Sequence, residues 1–307
     1  MVPFGDRLMN AVRAKRTPVM LGIDPRWDQL PSELRERYPD PPALPQIAAS
    51  YLSFVQAVID TLCDIVPVVK FQAAFFEAAG MSGTAALDYG LRYASSKGLV
   101  VVLDGKRGDI GSTAEAYAEA YIDADRGDDR AWMADAMTVN PFLGRETIEP
   151  FVRAARRSGT GLFVLVRTSN PGSGDLQLVT VDGHTISHRL AGWVEEWSKQ
   201  TAGTHGYGEV GAVVGATHKD EIADFRARLA HAPLLLPGYG TQGGKGADIA
   251  GAFDENGLGA VVNNSRGITF AYNQEKYASL PWRDAIRAAT EAMIKDIADN
   301  TPAGNLR

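Results

Sequence analysis

The chain has 307 residues but only one cysteine, Cys63, so no disulfide can form within it. A lone thiol fits a reducing compartment, and we expect the protein to work in the cytoplasm. The sequence also lacks a run of about 18 apolar residues, so we expect neither a membrane-spanning helix nor a membrane partner. Residues 1–7 contain no apolar stretch of the kind that forms the core of a signal peptide.

Basic residues are in the minority, with 31 lysines and arginines against 37 aspartates and glutamates, which gives a net charge of −6. An acidic chain without a basic block is a poor candidate for sequence-independent binding to nucleic acid, because such binding depends on clustered cations. A few local cations can still hold an anionic small molecule.

Histidine is scarce as well, with five in the whole chain. His184 and His188 have the i, i+4 spacing of a metal-binding pair, but no acidic ligand follows them in a recognisable pattern. We therefore expect neither a metal site nor another cofactor.

Short apolar runs rich in β-branched residues alternate with amphipathic helical stretches along the whole chain. Such a pattern is typical of a parallel sheet that helices bury on both faces. We predict a single-domain (β/α)8 TIM barrel over residues 1–307, with strands at 18–24, 66–72, 99–104, 136–140, 162–167, 210–215, 234–237 and 259–263. A doubly wound sheet is the alternative, but it would need a glycine-rich turn after the first strand, where Asp24-Pro25-Arg26-Trp27 stands.

Two segments exceed the needs of a minimal barrel. The first is a proline-rich insert at 25–45, to which we assign no role, and the second is a polar segment at 168–185. Both follow the carboxyl ends of strands, the face where barrel enzymes place their active sites. We expect function in the second segment and a disordered tail at 301–307.

The third predicted strand ends in the most informative motif of the chain, Asp104-Gly105-Lys106 followed by Asp109. Side chains alternate along a strand, so Asp104 and Lys106 project to the same face, whereas Asp109 lies in the loop beyond. A lysine between carboxylates stays protonated, which suits a proton donor and does not suit a nucleophilic amine. A solvated ion pair at a strand end is the alternative interpretation.

Polar residues close almost every predicted strand, and a barrel brings them to one mouth. Lys70 stands among apolar neighbours, and since a buried unpaired ammonium is costly, we expect Asp104 on the adjacent strand to be its partner. The other residues of this set are Asp24, Lys106, Asn140, Thr168, Ser169, Thr217 and Arg266.

Two glycine-containing loops, at 237–244 and 263–267, follow the seventh and eighth strands. Barrels that bind phosphate usually do so with these two loops. Glycine lets the backbone approach an oxyanion, and Arg266 can hold a phosphate through two parallel hydrogen bonds. These loops therefore predict a phosphate site.

These motifs resemble the orotidine 5'-phosphate decarboxylase family, in its longer bacterial branch, over nearly the whole chain. The motifs are Leu21-Gly22-Ile23-Asp24-Pro25, Val69-Lys70, the run from Asp104 to Thr113, Thr138-Val139-Asn140-Pro141-Phe142-Leu143-Gly144, Thr168-Ser169-Asn170-Pro171-Gly172, the 237–244 loop and Ser265-Arg266-Gly267.

The resemblance implies a decarboxylase that converts orotidine 5'-monophosphate to uridine 5'-monophosphate without a cofactor. It implies a catalytic network of Lys70, Asp104, Lys106 and Asp109, in which Lys106 protonates C6 of the pyrimidine. It also implies a homodimer with shared sites, in which Asp109 and Thr113 reach the neighbouring subunit. Substrate contacts implied by the resemblance come from Asp24 and Lys70 for the ribose, Ser169 for the pyrimidine, and Gln242 and Arg266 for the phosphate, with Asn140 as a further substrate-binding residue.

Two other functions remain open from sequence. A magnesium-dependent sugar-phosphate decarboxylase or aldolase of the same barrel group resembles the chain at Asp104, Lys106 and Asp109, but it needs an acidic metal ligand where Lys70 stands. A non-catalytic barrel that senses a pyrimidine phosphate would not need four adjoining charges with their desolvation cost.

Overall fold

The computed structural model describes residues 2–122, 131–240 and 244–307. Eight parallel strands in this part of the chain close into a barrel, each hydrogen-bonded to its neighbours in sequence and the last to the first. The strands are β1 (Val19–Ile23), β2 (Val68–Gln72), β3 (Val100–Arg107), β4 (Ala136–Val139), β5 (Gly161–Arg167), β6 (Val210–Val214), β7 (Leu234–Leu236) and β8 (Ala260–Asn264). This confirms the predicted (β/α)8 barrel.

Helices surround the barrel, and most of them connect successive strands. They are α1 (Phe4–Lys15), α2 (Ser32–Arg35), α3 (Leu44–Leu62), α4 (Ala73–Glu77), α5 (Gly80–Ser96), α6 (Gly111–Ile122), α7 (Glu149–Ser158), α8 (Gly174–Gln177), α9 (Ile186–Lys199), α10 (Lys219–Arg228), α11 (Arg266–Thr269) and α12 (Trp282–Asn300). No helix in the described ranges is both long and apolar enough to cross a membrane.

Helix α1 closes the amino end of the barrel. Its residues Phe4, Leu8, Met9 and Val12 are fully buried against the inward-facing residues at the start of the strands. Phe4 meets the ring of Phe163 on β5 edge to face, with the ring centroids 6.0 Å apart. With this end filled by apolar packing, the carboxyl end remains as the open mouth of the barrel.

The proline-rich insert after β1 is an ordered part of the wall. Leu30 and Leu34 are buried in the main core, and the backbone carbonyl of Gln29 accepts a hydrogen bond from the Tyr272 hydroxyl at 2.6 Å. The indole nitrogen of Trp282 donates to Glu33 at 2.8 Å. These contacts tie the insert to the segments that follow β8.

The segment at 168–185 follows β5 and builds its own small structure. It forms a 3-10 turn at Pro171–Ser173, then α8, then a two-stranded antiparallel hairpin of Thr180–Val181 and His184–Thr185. The segment begins at the carboxyl end of β5 and therefore lies beside the mouth of the barrel.

The expectation of a disordered carboxyl-terminal tail is wrong. Residues Pro302–Leu306 form a 3-10 helix, and the Thr301 hydroxyl caps it by accepting a hydrogen bond from the backbone N–H of Ala303. Ala303 is buried in the core, and the Asn305 side chain donates to the carbonyl of Glu255. A polar composition suggested disorder, but these long-range contacts order the tail.

Candidate active site

A cavity of about 870 Å³ opens at the carboxyl ends of the barrel strands. Its floor is divided into two halves by the inward-facing residues of the strands. Lys70, Asp104, Thr138 and Asn263 make one half polar, whereas the other half is apolar and consists of Leu165, Val213 and Leu235. This division suits a ligand with charged groups on one side and an apolar face on the other.

Two lysines flank a single carboxylate in the polar half. The Nζ atom of Lys70 lies 2.9 Å from Oδ2 of Asp104, and the Nζ atom of Lys106 lies 2.6 Å from Oδ1. Lys70 and Asp104 are almost fully buried, with exposed fractions of 4% and 6%, while the Lys106 side chain is 45% exposed. Both lysines line the cavity, and Lys106 is the more exposed of the two.

The opposite charges keep the buried pair ionised. Burial alone would raise the pKa of Asp104, but the charges of Lys70 and Lys106 lower it well below its ordinary value. Burial alone would lower the pKa of Lys70, but Asp104 and Asp24 raise it. Asp104 and Lys70 therefore both stay charged although both are buried.

Two neutral side chains complete the hydrogen bonding of Asp104. The Gln72 amide donates to Oδ2 at 3.0 Å, and the Thr138 hydroxyl donates to Oδ1 at 2.8 Å. The same hydroxyl accepts a hydrogen bond from the backbone N–H of Lys106 at 2.9 Å. Thr138 therefore fixes both the carboxylate and the backbone of the lysine beside it.

Lys106 stands in an irregular stretch of β3. The pairing of β3 with β4 shifts its register between Leu103 and Arg107, and Lys106 has a φ of 46°. A left-handed backbone is unusual for a residue other than glycine and is found where the surrounding structure imposes it, often at active sites. The irregularity aims the lysine side chain from the end of β3 into the cavity.

Asp24 follows β1 and lies 3.8 Å from the Nζ atom of Lys70. Its Oδ1 atom is buried without a hydrogen-bond partner, and the same holds for Nε of Arg26 and Oδ1 of Asn263 among the described residues. All three side chains line the cavity. Buried polar groups are normally paired, so these atoms are expected to meet a ligand or water there.

The predicted phosphate loops follow β7 and β8 at the mouth of the barrel. Gly238, Tyr239, Ser265 and Arg266 line the cavity, and Arg266 is the first residue of α11. The Tyr239 hydroxyl donates to Asp296 at 2.5 Å, which ties this loop to α12. Gln242, also predicted to bind phosphate, lies outside the described residues.

Asn140, Thr168 and Ser169 also line the cavity, on the side of β4 and β5. Ser169 packs directly on the backbone just after β6, because a Cβ atom at Gly215 would lie only 2.8 Å from the Cα atom of Ser169. Thr217, the polar residue predicted beyond β6, does not line the cavity, and its hydroxyl donates to the carbonyl of Ser169 at 3.4 Å.

Asp109 and Thr113 are not in the wall of this cavity. Asp109 follows β3 and accepts a hydrogen bond from the backbone N–H of Ile110, a residue that is 61% exposed. Thr113 is exposed in the first turn of α6. Both residues therefore lie on the outer surface beside the mouth of the barrel.

Sequence reasoning missed several residues of the cavity. Gln72 is two positions after Lys70, and Thr138 is two positions before Asn140, so strict alternation along β2 and β4 could have identified both. Arg26 and Trp193 carried no such signal, because one lies in the insert and the other in the middle of a helix, and such positions are common in any barrel.

A closed parallel barrel with a charged array at its carboxyl mouth defines a (β/α)8-barrel enzyme. Residues 19–279 match the sequence model of the orotidine 5'-phosphate decarboxylase / HUMPS family. The chain belongs to this family.

Individual relatives agree with the family match. An orotidine 5'-phosphate decarboxylase of Rhodopirellula baltica is 45% identical over 301 residues, which cover 97% of this chain and 99% of the relative. That of Caldicellulosiruptor saccharolyticus is 39% identical over 281 residues, 89% of this chain and 91% of the relative. The structure of Leishmania donovani OMP decarboxylase has a TM-score of 0.74 and 30% identity, and the match covers 97% of this chain and 98% of that one.

Proposed function

We propose that this chain decarboxylates orotidine 5'-monophosphate to uridine 5'-monophosphate and carbon dioxide, a carboxy-lyase reaction of pyrimidine biosynthesis. The array of Lys70, Asp104 and Lys106 carries the proposal. It places one accessible ammonium over the cavity and holds that ammonium against a buried carboxylate. Close relatives of nearly the same length bear the name of this enzyme.

Lys106 is the proton donor in the proposed mechanism. When the bond between C6 and the carboxylate breaks, the electron pair stays on C6 and carbon dioxide leaves. The Lys106 ammonium stabilises the negative charge as it develops, because it is already oriented by Asp104 and Thr138. It then transfers a proton to C6, and solvent restores the ammonium before the next turnover.

The remaining residues bind the other parts of the substrate. Asp24 and Lys70 hold the ribose hydroxyls, since both side chains line the cavity and lie 3.8 Å from each other. Ser169 contacts the pyrimidine, and Asn140 is a further substrate contact just after β4, where both side chains line the cavity. Arg266, which also lines the cavity, binds the phosphate together with Gln242. Asp104 lies beside the departing carboxylate. Binding of the phosphate, away from the reacting carbon, supplies energy that orders the charged network.

A homodimer with shared sites is part of this proposal. Asp109 and Thr113 lie outside the cavity of their own chain, next to the exposed Ile110. Their place beside the mouth supports a role in the cavity of a partner subunit, where Asp109 would join the charged network. Because the chain has a single cysteine and its relatives are biosynthetic enzymes, we place the dimer in the cytoplasm.

The magnesium-dependent alternative is disfavoured by one residue. A sugar-phosphate enzyme of this barrel group would need an acidic metal ligand at the end of β2, and Lys70 occupies that position as the ion-pair partner of Asp104. A cation there would repel a divalent metal ion.

The deciding experiment follows the loss of orotate-ring absorbance when purified protein meets orotidine 5'-monophosphate in the presence of a chelator. Rapid loss is the expected result and would remove both the sugar-phosphate and the sensor alternatives. Tight binding of uridine 5'-monophosphate without any loss of absorbance would overturn the proposal in favour of a barrel that binds the nucleotide but does not react with it.

A further inference from the structure

Arg167 is a buried cation that the proposed mechanism does not use. It ends β5, and only 4% of the residue is exposed. Its Nε and Nη2 atoms donate to the two carboxylate oxygens of Glu221 on α10, each at 2.9 Å. Neither residue lines the cavity. This is the two-bond geometry that makes an arginine–carboxylate pair directional as well as strong.

The same guanidinium reaches two further partners around the start of the 168–185 segment. Its Nη1 atom donates to the Ser173 hydroxyl at 2.6 Å, and its Nη2 atom lies 3.3 Å from Nδ1 of His218. Arginine can only donate, so Nδ1 of His218 is the acceptor and Nε2 carries the proton. That Nε2–H donates to the carbonyl of Thr168 at 2.8 Å.

Thr168 is held from its other side by Gln177 of α8. The amide oxygen of Gln177 accepts the backbone N–H of Thr168 at 2.9 Å, and the amide nitrogen donates to the Thr168 hydroxyl at 2.8 Å. The next residue, Ser169, contacts Gly215 so closely that a side chain at position 215 would clash with it. The chain of contacts therefore runs from Glu221 through Arg167 and His218 to Thr168 and Ser169 in the cavity wall.

We propose that Arg167 and Glu221 are positioning residues, which fix Ser169 at the place where it contacts the pyrimidine of the substrate. This inference rests on the proposed function, because the contact of Ser169 with the substrate belongs to it. Glu221 is the necessary partner, since a buried guanidinium without its carboxylate is strongly destabilised. The pKa of Glu221 is lowered, first of all by its hydrogen bond with Arg167, so the pair stays charged at neutral pH.

The first test is Glu221→Gln, which keeps the shape of the side chain and removes its charge. Asp64→Asn is the control, because Asp64 also makes a two-bond pair with Arg287, at 3.0 and 2.7 Å, but on the surface before β2 and away from the cavity. We expect Glu221→Gln to lower the melting temperature and Asp64→Asn to lower it less, because exposed ion pairs contribute little stability. Only Glu221→Gln should lower kcat/KM, by 10- to 100-fold, the effect typical of a displaced contact group.

A double-mutant cycle with Ser169→Ala separates positioning from general damage. If Glu221 acts through Ser169, the Glu221→Gln change should cost less than about threefold in kcat/KM once Ser169 is alanine, because the group that it positions is gone. Equal losses in both backgrounds would overturn the inference, and so would a Ser169→Ala variant with wild-type activity. Where Glu221→Gln does not fold, Ser173→Ala replaces it, as it removes one acceptor of Arg167 and leaves the ion pair intact.

The same cycle is run on the affinity for uridine 5'-monophosphate, measured by calorimetry. This readout needs no turnover, so an inactive wild-type chain would refute the proposed reaction while the binding cycle still tests the positioning role. Non-additive losses of affinity support the positioning role, and additive losses contradict it.

Discussion

Lys70 and Asp104 form a buried ion pair in which Nζ lies 2.9 Å from Oδ2, at the point where β2 and β3 leave the barrel. The register of the two strands creates it, since Gln72 stands opposite Asp104 and Lys70 stands one inward-facing position below. Lys70 donates to Oδ2 of Asp104, and Lys106 donates to Oδ1 of the same carboxylate. A single aspartate thus orients a buried lysine and an accessible one.

The Lys106→Ala variant should lose the chemical step and keep the binding site. We expect turnover of orotidine 5'-monophosphate to fall by at least about 1,000-fold, because the variant lacks both the stabilising charge and the proton donor. Binding of uridine 5'-monophosphate, measured by calorimetry, should change by only a few-fold. Lys295→Ala, which removes an exposed lysine paired with Asp299 on α12, is the control. Wild-type turnover by Lys106→Ala would show that another group donates the proton.

Arg266→Ala should weaken substrate binding and kcat/KM together. Loss of a hydrogen-bonded charge is expected to cost about 10- to 100-fold in affinity for uridine 5'-monophosphate, while weak binding of uridine, which has no phosphate, should stay unchanged. Titration calorimetry with both ligands measures the difference. Arg228→Ala, a change of an exposed arginine paired with Asp224 on α10, serves as control. Equal losses for both ligands would mean that Arg266 does not bind the phosphate.

Mixing two inactive variants tests whether the sites are shared between subunits. In a mixed dimer of Lys106→Ala and Asp109→Ala chains, one site receives Lys106 from one chain and Asp109 from the other. Statistical exchange should therefore restore about a quarter of the wild-type sites, as expected for a symmetric dimer. The assay compares each variant alone with the refolded mixture. A mixture that stays inactive, with dimers present by size-exclusion chromatography, would place Asp109 in the site of its own chain.

Glu209 should make the stability of the protein fall as pH rises towards neutrality. This side chain is buried at the start of β6, and its Oε2 atom has no hydrogen-bond partner among the described residues. Burial raises its pKa from 4.5 to about 7, although Arg156 and Arg7 oppose the shift. The folded protein therefore binds this proton more tightly than the unfolded chain, so the stabilisation is complete below pH 4.5 and is lost as pH rises through 7.

The Glu209→Gln variant should not lose this stability. At pH 8 we expect its free energy of unfolding to exceed that of the wild type by on the order of 1–3 kcal/mol. At pH 5 the two free energies of unfolding should be similar. Equilibrium unfolding in urea at both pH values measures the difference, with the exposed Glu255→Gln as control. Parallel pH profiles of wild type and Glu209→Gln would contradict the assignment.

Much of the barrel could be predicted from the sequence, because strands buried on both faces leave continuous apolar runs. All eight predicted strands are present, and their ends differ from the predicted ones by a few residues at most. Since parallel strands in a barrel all end at one face, most of the polar residues that close them meet there, although Thr217 lies outside the cavity wall. Asp24, Lys70, Asp104, Lys106, Asn140, Ser169 and Arg266 accordingly line one cavity.

Other features depended on contacts between distant parts of the chain. The left-handed backbone of Lys106 follows from the register shift between β3 and β4 and from the hydroxyl of Thr138, 32 residues away. The pair of Arg167 and Glu221 joins residues 54 positions apart, and nothing in either local sequence indicates it. The ordered tail at 302–306 was mistaken for disorder for the same reason.

The succession of strands along the chain and the face on which the functional groups gather follow from local periodicity and from residue types at the ends of strands. The family was indicated instead by the resemblance of motifs, such as the run from Asp104 to Thr113, to those of the orotidine 5'-phosphate decarboxylase family. Two features could be read only from the folded chain: which lysine is buried and which is more exposed, and which groups hold Thr168 beside Ser169. Burial and hydrogen bonding are properties of neighbours in space, and those neighbours are brought together only when the barrel closes.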